Sequence, residues 1–83
     1  MAQRVDVGAI VEVIWADAWF EVDGSDPPWR EEFLVRTYGI LLRRGAKVLT
    51  VASESLPDGQ HRAISHIPRT LVRRVRYLGE ATT

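Results

Sequence analysis

Apolar and polar residues alternate with a period of two over most of this chain, which predicts strands rather than helices. Residues 5–15 open the pattern, with Val5, Val7, Val11, Val13 and Trp15 on one face. Ile10 and Ile14 make the other face partly apolar, as expected where a sheet wall meets a neighbour. Gly8 predicts a bend or bulge within this run. Residues 33–43 repeat the alternation, with Phe33, Val35, Thr37 and Leu41 set against Leu34, Arg36, Tyr38, Ile40 and Leu42. Gly39 lies mid-strand, where a missing side chain permits sharp coiling. Arg44-Gly45-Ala46 reads as a turn with Gly45 in the left-handed region. Residues 47–54 return as a third strand around Val48, Leu49 and Val51. Leu56-Pro57-Asp58-Gly59 is a second turn, and residues 61–67 form a fourth strand.

Two segments break the alternation. Residues 16–29 are irregular, and Asp23-Gly24-Ser25-Asp26-Pro27-Pro28 is the strongest loop signal in the chain. Pro27 or Pro28 can open one short helical turn there, capped by Ser25 or Asp26, with Glu31 and Glu32 near its N-terminal end. Further on, Leu71, Val72, Val75 and Leu78 fit helical spacing, whereas Val72, Val75 and Tyr77 favour a strand. A tight turn at Pro68-Arg69-Thr70 followed by a strand is the preferred reading. The expected fold is all-β. Residues 1–83 form a single small domain, a closed five-stranded barrel with a long loop between its first and second strands.

The run Tyr38-Gly39-Ile40-Leu41, then Val48-Leu49-Thr50-Val51, Ile67-Pro68 and Leu71-Val72, resembles Sm-like and Src-homology-3-like (SH3-like) small barrels. In those folds a glycine-bent second strand pairs with a third, and a short turn leads into the last strand. The resemblance implies a binding platform rather than a catalyst. The chain is also similar to small bacteriophage-encoded proteins of unknown function. Those pair an early Trp-x-Asp-Ala, here Trp15-Ala16-Asp17-Ala18, with a later Ile-Pro followed by spaced aliphatics. That likeness implies a self-associating interaction protein that engages a host protein, or else a phage structural or assembly component.

Composition narrows the picture. A chain of 83 residues buries a thin core, and without cysteine it has no disulfide, thiolate metal site or thiol chemistry to draw on. Oligomerisation is the other common remedy for a thin core, so a homo-oligomer is expected. The first residues lack the apolar run of a signal peptide, and residues 8–11 are too few to span a bilayer. A cytoplasmic protein with no membrane partner is expected, in the host cytoplasm if the chain is phage-encoded. The formal net charge is zero but it is split. Residues 1–35 hold eight acids and two bases, and residues 36–83 hold nine bases and three acids.

Candidate chemistry follows the charge. Arg69, Arg73, Arg74 and Arg76, with Tyr77 among them, offer fork-shaped donors and a stacking face to a phosphate ligand. Single-stranded nucleic acid, or a signalling nucleotide held between subunits, fits that set. If the segment is a strand, Arg73 and Arg74 point to opposite faces. Arg43, Arg44 and Lys47 form a second basic cluster at a hairpin tip. Three tryptophans fall in the first thirty residues. Trp15 is expected in the core, while Trp19 and Trp29, beside Phe20, are candidate anchors for a protein partner. The carboxylates Asp17, Glu21, Asp23, Asp26, Glu31 and Glu32 lack the spacing of a calcium loop and read as a solvated acidic loop. His61 and His66 are five residues apart, on opposite faces of a strand, which argues against a shared zinc site. No Gly-x-Ser-x-Gly or phosphate-cradling glycine loop occurs. No catalytic residue, metal site or cofactor is expected, and the chain reads as non-enzymatic.

Overall fold

The computed structural model describes residues 5–17 and 33–81. Five strands form one antiparallel sheet: β1 (Ala9–Asp17), β2 (Phe33–Arg44), β3 (Val48–Ser55), β4 (His61–Pro68) and β5 (Val72–Glu80). A 3-10 turn, Arg69–Leu71, precedes β5. The strand order is β4-β3-β2-β1-β5, so the chain meanders through β4 and then returns to pair β5 with β1. The last segment is a strand, as the β-branched Val72 and Val75 favour, and the turn at Pro68-Arg69-Thr70 is the 3-10 turn.

One face of the sheet is the core. Val5, Ala9, Val11, Val13, Leu41, Leu49, Val51 and Ile67 are buried together, with Trp15, Val72 and Val75 packed against them. Trp15 takes its expected core role, and its indole Nε1 donates to Thr37 Oγ1 at 2.9 Å. Val7 departs from the expected core face. The chain turns at Val7-Gly8 before β1 begins, and Val7 is left 57% exposed.

The expected barrel is not closed. β4 and β5 are joined by only three residues, yet the ladders run β4-β3-β2-β1-β5 with none between the two edges. Hydrogen bonding at the junction accounts for this. Pro68 has no N–H to give. The Arg69 N–H goes to the Lys47 carbonyl at 2.9 Å, and the Val72 N–H turns back to Arg69. β5 also carries two extra residues against β1, Arg73 and Leu78, and such bulges bend a strand and interrupt pairing. On β4, Ala63 sits at φ 57° and breaks the extended run.

Two glycines are fixed by close approach. A Cβ at Gly39 would lie 2.2 Å from the Ala52 carbonyl oxygen, so β2 can fold tightly over β3 only there. Gly45 does not adopt the expected left-handed conformation. Its N–H bonds Val48 O at 2.9 Å, and an added Cβ would meet that same oxygen at 2.9 Å. The expectations for residues 18–32 fall outside the described residues. They comprise the long loop with its short helical turn, Trp19, Phe20, Trp29 and the acids Glu21, Asp23, Asp26, Glu31 and Glu32.

A candidate phosphate-binding face

Residues directly opposite one another in neighbouring antiparallel strands share a face, so the register assigns the side chains. Val11 and Val13 of β1 point into the core. Glu12 and Ile14 therefore point outward. Glu12 lies opposite Tyr38 of β2 and Arg76 of β5, and Ile14 lies opposite Arg36 and Arg74. The outer face of the three-strand unit β2-β1-β5 thus gathers Arg36, Tyr38, Arg74 and Arg76 around one carboxylate.

That carboxylate is nearly inaccessible, with the Glu12 side chain 3% exposed. Arg76 Nε donates to Oε1 at 3.0 Å and Arg36 Nη1 to Oε2 at 3.4 Å. The Tyr38 hydroxyl donates to the same group. Tyr38's hydrogen bond is the main cause holding the Glu12 carboxyl below its ordinary pKa. Burial opposes it, the two guanidiniums add to the lowering, and the net direction is downward. The same bond pushes the Tyr38 hydroxyl above its usual value. A buried acid bonded to one arginine on each neighbouring strand fixes the outward-facing cations in place. Arg36 and Arg76 still show more than half their surface to solvent, and Tyr38 is 48% exposed. Two arginines bound to one carboxylate leave a net positive charge, and the exposed Arg74 adds to it.

The residues expected to form one basic strip fall in separate places. Arg74 and Arg76 lie on the outer face. Arg73 is the extra residue of a bulge, and its Nη1 donates to Thr70 O at 3.1 Å. Tyr77 lies opposite Val11, on the core side at the sheet edge, and its hydroxyl donates to Glu80 at 3.1 Å. That bond is the first cause of the raised Tyr77 pKa. Arg69 lines the mouth of the curled sheet together with Arg44, above Val5, Leu41, Leu49, Val72 and Val75. Arg43 and Lys47 line a separate groove with Thr50 and His66. Adjacent strand residues face opposite ways, so the second cluster is divided, and the β-bulge at Leu42 sets Arg44, rather than Arg43, on the core side.

Tyr38, interleaved with the basic residues, was part of the phosphate reading of the sequence, but Arg36 and Glu12 were not. The signal for Glu12 was a lone acid between Val11 and Val13, with Ile10 and Ile14 two positions away, because a carboxylate in an otherwise apolar strand needs partners. Its partners lie 24 and 64 residues away and emerge only with the register. Among the described residues no three His, Asp or Glu side chains gather as a metal set. Ser55 Oγ lies 3.4 Å from His61 Nδ1 at an exposed site, too long for a firm nucleophile–base contact. No family model, curated protein or solved structure matches the chain.

Proposed function

We propose that this domain is a non-enzymatic binding module whose outer sheet face engages phosphate-bearing ligands, single-stranded nucleic acid foremost. One observation carries the reading: Arg36, Tyr38, Arg74 and Arg76 are held on one face around the buried carboxylate of Glu12. Guanidiniums that are already oriented lose less freedom on meeting a phosphate than free side chains do. An exposed aromatic among them offers a stacking surface for an unpaired base. The strand order, with β5 returning to β1 after a short 3-10 turn, is in keeping with the SH3-like and Sm-like resemblance.

Fluorescence anisotropy with a labelled single-stranded oligonucleotide tests the proposal. With about three phosphate contacts the logarithmic salt slope is about −2, and affinity falls about 20-fold from about 50 mM to about 200 mM salt. Arg74→Ala, which leaves the Glu12 network intact, is expected to lower the slope by about 0.7. Absence of binding at low salt, or binding indifferent to salt and to Arg74→Ala, would rule the reading out.

A second reading is self-association, favoured by β4 and β5, which stand at the two edges of the open sheet with no further strand beside them among the described residues. Native mass spectrometry separates the cases. A defined oligomer supports it, and a monomer at all concentrations removes it.

A further inference from the structure

Away from the Glu12 network, at the β2–β3 hairpin, Arg43, Lys47 and His66 line a groove of about 620 Å³ with Gly45, Ala46, Val48 and Thr50. None of these lining residues is acidic. We infer that this groove is a second anion site that takes a phosphate monoester, with room beyond the phosphate for a nucleoside. The site is independent of the function proposed above, because it shares no residue with the Arg36–Tyr38–Arg76 face.

The site is built rather than a chance cluster of surface charge. Thr50 is buried, at 8% exposure, and lies directly opposite both Arg43 and His66 in the register. Thr50 Oγ1 and His66 Nδ1 are 3.0 Å apart. When the hydroxyl donates to Nδ1, the neutral ring carries its proton on Nε2. When the ring is doubly protonated, Nδ1 donates to the hydroxyl and Nε2 again presents an N–H. Both of these states present an N–H at the free end of the ring, whereas the neutral Nδ1–H tautomer, donating to the hydroxyl, presents an acceptor there. The hairpin that carries Lys47 is pinned on both sides. Gly45 N–H bonds Val48 O at 2.9 Å, the Arg69 N–H bonds Lys47 O at 2.9 Å, and Arg69 Nη1 reaches Gly45 O at 3.3 Å. A guanidinium fork, an ammonium and an imidazole lining one groove without a carboxylate suit a dianion better than a monoanion.

The chain has two histidines, which gives the test an internal control. His61 lies at the opposite end of β4, beside Ser55. The imidazole C–H resonances are followed by proton NMR at constant pH, with inorganic phosphate in one arm and a nucleoside monophosphate in the other. The expected result is a saturable shift of the His66 signals with the His61 signals unmoved, and tighter binding of the nucleotide than of phosphate. Lys47→Ala, at an exposed position, is expected to weaken binding about tenfold, the loss of one charge-assisted contact, and Arg62→Ala, exposed near the other end of β4, to leave it unchanged. A matching shift of both histidines, no shift in either, or equal affinity in Lys47→Ala would overturn the site. Equal affinity for phosphate and nucleotide would overturn the nucleoside portion of the inference. A response lost in Arg76→Ala but kept in Lys47→Ala would relocate the ligand to the outer face and overturn it as well.

Discussion

Glu12 is the residue on which the outer face turns. It is buried, it accepts from three donors on two neighbouring strands, and its ionised form is favoured by all of them. A carboxyl whose folded pKa lies below its unfolded value contributes stability above the unfolded pKa, ordinarily 4.5, and loses it as pH falls through the lowered folded value. Tyr38 is the mirror case. Its raised pKa means that its contribution is complete below 10.0 and is lost as pH rises beyond the folded value. Glu12→Gln is therefore expected to lower the melting temperature at neutral pH, with the gap to the parent protein narrowing steadily below about pH 4. Thermal melts across acid pH check this, and a constant gap would mean that the charge on Glu12 contributes nothing. Gly39 is a second decisive residue. Gly39→Ala places a methyl 2.2 Å from the Ala52 backbone oxygen, so the backbone of β2 or β3 must shift. The expected cost is about 3 kcal/mol, measured by urea denaturation.

At the scale of the elements, the interest lies in where the sheet stops. Ala63 holds a left-handed conformation in the middle of edge strand β4. Ala63→Gly relieves that strain at some cost in chain entropy and is expected to stabilise the domain by about 0.5–1 kcal/mol. A loss of stability would show that the Ala63 methyl makes a contact worth more than the strain. Ile67, 1% exposed beside the last residue of β4, ties the far edge of the sheet to the core. Ile67→Ala is expected to cost about 2–5 kcal/mol, a large share of a small domain's stability, with a matching drop in the urea midpoint. The strands themselves were legible in the alternation, and so was the turn ahead of β5, because Pro68 and the β-branched residues after it act locally. Closure was not legible. It depends on whether backbone groups at Pro68, Arg69 and Val72 remain free to pair, and those are spent on Lys47 and on one another. Gly45 shows the same limit, since a close approach to Val48 and a left-handed turn both call for glycine.

For the whole molecule, the charge split along the chain becomes a property of the sheet. The described residues hold nine Arg and Lys against six Asp and Glu, so the folded sheet is net basic, while the five remaining acids fall in residues 18–32. The sequence revealed that bias but not its faces. Arg73 and Arg74 are adjacent in sequence, yet one is a bulge residue tied to Thr70 and the other stands in line with Arg36 across β1. The central claim is that the ligand meets this outer face. The most direct test is a nitrogen–proton correlation titration of the domain with a short single-stranded oligonucleotide. The account predicts saturable shifts at Ile14, Arg36, Tyr38, Arg74 and Arg76, with the core-side residues Val51 and Ile67 unmoved. Shifts centred on Arg44 and Arg69 at the mouth of the sheet, or none at all, would contradict it.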